Sequence, residues 1–201
     1  MNKLPINISS WFGSLDSLID SLYNNKVLDI NDSSLDGLLN DLLKTNLTIW
    51  QYEDQARRID VNDAVIANVK RNIDKFNQIR HNIINTMDAF IREDIEKNIP
   101  NIPKDTPLNS EAPGSIFDRL MVLALRSYHL KKELGRKDAS EPHKKRCLGM
   151  LEEVKARSID LLKCLEVLMD DYYGGKKKLK SYKEHKLYND PELNPALRKK
   201  S

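Results

Sequence analysis

Three short runs hold the residues whose types and spacing could support chemistry. In WQYEDQARR (50–58), Glu53, Asp54 and Arg57 bring two carboxylates and a guanidinium within little more than one helical turn. In KRNIDKFNQIR (70–80), Lys70, Asp74, Asn77 and Arg80 recur at three- and four-residue steps. In NSEAPGSIFDRL (109–120), Asn109, Asp118 and Arg119 flank a Pro-Gly helix entry. Near the end, YNDPELNP adds Tyr188 and Asn189. Arginine forks suit phosphate or carboxylate, and carboxylates beside them could move a proton or hold a metal. The bland alternative is a set of bundle-locking hydrogen bonds and solvated helix-end charges. Against it stands the energetic argument that buried charge stabilises no better than apolar packing.

Other chemistries lack their residues. There is no glycine-rich phosphate loop, no serine elbow and no cysteine beside an evident base, and His81, His129, His143 and His185 are scattered. Cys147 and Cys164 fall in one expected helix, about 25 Å apart at 1.5 Å per residue, beyond disulfide reach. They read as reduced thiols with no metal-ligand spacing. Free amides near Ser115 could receive an anion at a helix start, with Glu111 or Ser110 as its cap.

Helices must position these groups. Hydrophobic residues make up 40% of the 201 residues, charged residues 31%, and Gly and Pro number only 7 and 8. That composition suits an all-α protein. Residues 1–13 read as an irregular arm and 14–26 as a short helix. Long helices are expected over 34–58, 63–95, 115–135 and from Ser140 to Gly174-Gly175, with caps in NDSS and at Ser140 and a break at Asp60–Asn62 before Asp63. The four-proline stretch 98–114 must be a loop. The expected architecture is an antiparallel bundle of four long helices: an N-terminal arm over 1–33, the core over 34–175 and a basic segment over 176–201 that packs on the core. From Gly174 onward nine basic residues face three acidic ones, and that segment would close a cleft as its missing wall.

On the first long helix the apolar stripe leads to Asn46, Glu53 and Arg57, so these are expected to point inward. On the second, Arg80 occupies the stripe. A hairpin reversing near residue 60 places Asn46 near Asp74–Phe76 and Arg80 opposite Leu39–Leu43, its acid coming from another helix through Asp118. No apolar run approaches the ~20 residues of a membrane span, and no leader pattern opens the chain. A cytoplasmic location is expected. The run KKKLKSYKEHK resembles a nucleic-acid arm, but the acidic body argues against such a partner.

Taken together, WQYEDQARR, the 70–80 run, NSEAPGSIFDRL and YNDPELNP resemble a bacterial family catalogued as domain of unknown function family 4254, over roughly residues 45–197. The resemblance implies an all-helical protein without an established activity or cofactor. Members tend to be encoded beside glycosyltransferases for surface polysaccharide, which implies that pathway and a glycosyltransferase as a possible partner. Where the family pattern has an Asn-Asp pair and a later Glu after Arg80, this chain has His81, Asn82 and Asn85. Two carboxylates are lost from one face, which would impair a metal-assisted mechanism. The leading expectation is a binding or accessory protein in cell-surface glycan assembly. It would recognise an anionic sugar-phosphate, a nucleotide-sugar or a partner protein. The alternative is a metal-dependent hydrolase or transferase on a phosphorylated substrate. It is similar in outline to helical pyrophosphohydrolases but lacks their E-x-x-E pairs.

Overall fold

The computed structural model describes residues 4–24, 34–180 and 191–198. Five helices follow in order: α1 (Ile8–Tyr23), α2 (Leu35–Gln55), α3 (Asp63–Asn98), α4 (Pro113–Leu134) and α5 (Glu141–Tyr173). Among the described residues the only extended pairing is an isolated parallel bridge between Leu108 and Lys178. The protein is all-α. No described helix is long and apolar enough to cross a membrane.

Local chemistry starts most of these helices. The side chains of Ser34, Asn62 and Ser140 accept from Gly37, Val65 and His143 amides and cap α2, α3 and α5. Each satisfies one of the donors a helix start leaves open. At the far end of α5, Gly174 is the cap and Gly175 takes a φ of 68°, a left-handed conformation that glycine adopts without penalty.

Two pairs pack most extensively, α2 with α3 and α4 with α5, while α1 lies chiefly against α4. The core they share includes Leu39, Leu42, Met87, Ile91, Phe117 and Leu165, each no more than 1% exposed. Burial of such side chains contributes roughly 1.5–3 kcal/mol apiece. Trp11 meets Phe117 edge-on at 5.1 Å, and Tyr23 stacks on Tyr128 at 5.4 Å, so α1 runs alongside α4 in the same direction.

Four expectations about the elements need correction. The first helix begins at Ile8, not Ser14, because Asn7 caps it by accepting from the Ser10 amide. Leu15 and Ile19 continue its buried stripe. The second helix ends at Gln55, so Arg57 lies beyond it rather than on an inward face. The register of the α2–α3 hairpin is also displaced. Asn46 meets Arg80, and Tyr52 meets Phe76 at 5.6 Å. Side chains on a helix lean toward its amino terminus, so the long Arg80 side chain reaches a level of α2 that its Cα does not. Finally, α4 is capped by neither Glu111 nor Ser110: Ala112 is its N-cap and Pro113 its first residue.

Residues 176–180 return to the bundle. The Lys178 amide donates to the Pro107 carbonyl at 2.9 Å, and Leu179 is buried.

Candidate functional site

The return of the chain and the entry of α4 enclose a polar cleft of about 390 Å³. Its floor is one face of α3, where Arg80, Ile84 and Asp88 follow at four-residue intervals with His81 and Asn85 beside them. Residues 109–112 and the first turns of α4, with Ser115, Asp118 and Arg119, form the opposite wall, and Lys180 closes one side.

Arg80 is held by an amide. Its Nη1 donates to Asn46 Oδ1 at 3.3 Å, and Asn46 Nδ2 donates to Asp118 Oδ1 at 2.8 Å. Asn46 is 4% exposed, and only this orientation gives its carbonyl to the cation and its NH2 to the acid. Arg80 and Asp118 therefore connect through Asn46 rather than as an ion pair. Among the described residues no carboxylate lies within ion-pair distance of Arg80, and its buried Nε has no hydrogen-bond partner. A guanidinium carries five donors, and here one of them is used.

Asp88 occupies the other end. It is 5% exposed, and its Oδ1 accepts from the Gly114 amide at 2.7 Å. Ala112 has no side chain that can cap α4 and Pro113 has no N–H, so a carboxylate from α3 supplies the cap. Burial pushes the Asp88 carboxyl up to about 6, only partly offset by the Gly114 bond. The neighbouring Tyr172 hydroxyl is pushed up to about 12, by burial and then by the Asp88 charge.

The rim is tied down by its own contacts. Asn109 Nδ2 donates to the Glu111 carbonyl at 2.9 Å, and Arg119 pairs with the Glu111 carboxylate.

The structure thus brings Arg80, Asn109, Asp118 and Arg119 into one cleft and leaves other candidates elsewhere. Glu53 and Arg57 form an ion pair at 2.8 Å with side chains 44% and 70% exposed, so neither is the inward charge expected. Asp54, next to them, is exposed. Lys70 and Asp74 pair with each other on the exposed side of α3. Asn77 is half-buried and outside the cleft lining. Tyr188 and Asn189 lie outside the described residues, as does Tyr182, so their expected return to the bundle concerns residues not described. Lys176 and Lys177 pair with Asp171 near the end of α5. Asn46 is the inward-pointing residue expected on α2, whereas Asp88 was the participant least visible in the sequence. Their signal is a polar residue between buried apolar ones, Met87 before Asp88 and Leu47 after Asn46.

Two histidines have unexpected surroundings. His129 stacks on Trp50 at 4.6 Å with planes 4° apart, and its Nε2 lies 3.0 Å from the Tyr23 hydroxyl. His143 Nε2 lies 3.4 Å from Cys147 Sγ, which brings a base to a thiol after all. The same nitrogen faces Glu133 at 2.9 Å, and Cys147 is 2% exposed. A triad needs the two partners on different ring nitrogens and an accessible sulfur, so this arrangement is a packed helix junction. Cys164 is exposed and both thiols are free. Among the described residues no three His, Cys, Asp or Glu side chains converge as a metal site.

A family model described as protein of unknown function (DUF4254) matches residues 36–181, and the chain belongs to that family. No curated protein and no solved structure matches it. The matched span contains every described residue of the cleft.

Proposed function

We propose that this member of DUF4254 is a binding or accessory protein whose cleft between α3 and α4 takes an anionic ligand of the sugar-phosphate or nucleotide-sugar class. The observation that carries the reading is Arg80. A partly buried guanidinium that makes one hydrogen bond and has no carboxylate partner among the described residues is costly unless an anion completes its charge. Lys180 and Arg119 add positive charge at the margins. Asn85, Ser110 and Ser115 offer neutral hydrogen bonds of the kind a polyhydroxylated ligand uses. The family's association with glycosyltransferases supports placing this role in cytoplasmic steps of cell-surface polysaccharide assembly, with a glycosyltransferase as partner. The test is calorimetric titration of the full chain with sugar phosphates and nucleotide-sugars. Saturable binding that disappears in Arg80→Ala supports the proposal. Unchanged binding in that variant would remove its basis.

One feature favours a second reading, a hydrolase or transferase. Asp88 is a carboxyl raised to about 6 in the same cleft, the range in which a side chain can give and take a proton near neutrality. Turnover of a bound phosphate compound, lost in Asp88→Asn, would select this reading over a pure binding role.

A further inference from the structure

The two ends of the cleft carry opposite charges that nothing described in the protein neutralises. At one end, Arg80 bonds only to Asn46. At the other, Asp88 bonds only to a backbone amide, and no cation lies within ion-pair distance of it among the described residues. The two cannot satisfy one another. They stand eight residues apart on one face of α3, about 12 Å along the axis at 1.5 Å per residue. Both side chains lean the same way, toward the amino terminus of α3, so the gap does not close. Between them the floor is Ile84, an apolar stretch flanked by Asn85.

We infer that the cleft is built for a zwitterionic ligand, with an anionic group on Arg80, an ammonium group on Asp88 and a short carbon skeleton lying over Ile84. The inference rests on the proposed anion site at Arg80 and adds a second, cationic requirement to it. The geometry around Asp88 supports an ammonium rather than a metal ion. One carboxylate oxygen is engaged by Gly114, which leaves a single oxygen for the ligand, and no second ligating carboxylate converges with it. That second oxygen belongs to a residue lining the cleft and is not among the occluded atoms lacking a partner, so it keeps exposed surface. The groups around Asp88 are His81 on its own helix, Glu111 on the loop, Asp118 and Arg119 on α4, Tyr172 on α5 and Lys180 on the returning chain. None of the cations among them counters the rise that burial imposes on Asp88, which only the Gly114 amide opposes.

The separation sets the probes. A phosphate and an amine joined by six methylenes are of the same order of length as the roughly 12 Å rise between positions 80 and 88, and hexyl phosphate is the same molecule without the amine. In calorimetric titrations of the full chain at pH 7.5, 6-aminohexyl phosphate is expected to bind about tenfold more tightly than hexyl phosphate. That is the factor a single charge-assisted contact of about 1.4 kcal/mol provides. In Asp88→Asn, which keeps an oxygen for the Gly114 amide, the ratio of the two affinities should collapse to about one. It should shrink similarly in the wild type below pH 6, as Asp88 takes up a proton. Equal wild-type affinities, or a preference that survives Asp88→Asn, overturn the inference. If hexyl phosphate binding still depends on Arg80, those results leave the anion site standing. Failure of both probes to bind overturns the anion site and this inference together.

Discussion

Asp88 on α3 and Gly114 on α4, 26 positions apart, are held at 2.7 Å by a carboxylate-to-amide hydrogen bond that starts one helix from the side of another. The contact demands glycine for reasons of space rather than conformation. A Cβ at position 114 would lie 2.9 Å from Asp88 Oδ1 and 3.0 Å from the Ile84 carbonyl oxygen. Gly114→Ala must push α4 away from α3 and should cost about 1–3 kcal/mol, as overpacked sites do. Urea unfolding of the variant checks this, and an unchanged midpoint would show that the junction yields without cost.

Asp88 also predicts a pH dependence with an unusual sign. A carboxyl raised from 3.8 to about 6 binds its proton more tightly in the folded chain than in the unfolded one. Its contribution to stability is fully present below pH 3.8 and is lost as pH rises through about 6. Asp88→Asn removes the buried charge, so at pH 7 the variant should be more stable by about 1–3 kcal/mol. The difference should vanish toward pH 4. Melting curves across that range decide it, and a constant offset between the two proteins would contradict the assignment.

Arg80→Met should leave global stability within about 1 kcal/mol of the wild type, or raise it, because the replaced group is a partly buried cation without an acid. Removing a binding group often stabilises the fold, whereas breaking a buried ion pair costs about 3–5 kcal/mol. A loss in that larger range, measured by denaturant titration, would mean that Arg80 serves the fold.

His129 predicts a second titration at the opposite end of α2. Burial lowers its affinity for a proton, with Asp54 and then Glu133 opposing. A depressed histidine favours the fold fully above about 6.5 and ceases to do so as pH falls through its lowered value. Protonation also makes Nε2 a donor toward the Tyr23 hydroxyl, 3.0 Å away, whichever neutral tautomer it replaces. His129→Phe keeps a ring against Trp50 and should lose this pH dependence. Parallel melting curves for variant and wild type between pH 5 and 7.5 would show that the ring titrates without consequence.

Arg57→Ala is the complementary test. With its side chain 70% exposed and its partner Glu53 44% exposed, the pair should contribute no more than about 0.5 kcal/mol. A larger loss on thermal unfolding would place Arg57 in a role that its position past the end of α2 does not suggest.

Helix number and type were legible because Ser34, Asn62 and Ser140 cap locally and the apolar residues after them repeat at helical spacing. Arg57 shows where periodicity misleads: the stripe on α2 extrapolates to it, but the helix has already ended at Gln55. The cleft was half legible. Arg80 declared itself by interrupting an apolar stripe, and Asp118 by facing it from another helix. Asp88 did not, because its burial comes from the approach of Gly114, and nothing near residue 88 announces a glycine 26 positions later. The start of α1 was missed for a simpler reason. Asn7 is a good cap, but Pro5 before it and the Ser9-Ser10 pair after it read more readily as an arm.

The hydrogen bond from Lys178 to Pro107 joins positions 71 residues apart and encloses α4 and α5 in a single loop. Closing a loop of that length carries an entropic cost that must be met before the contact returns anything. That cost is smaller once α4 and α5 have paired, because the hairpin already brings the two positions near one another. The pocket depends on both helical pairs, since Asp88 of α3 caps α4 and Lys180 follows α5. A chain arrested before residue 178 would hold Arg80 and Asp88 in place on α3 and still lack the enclosure between them.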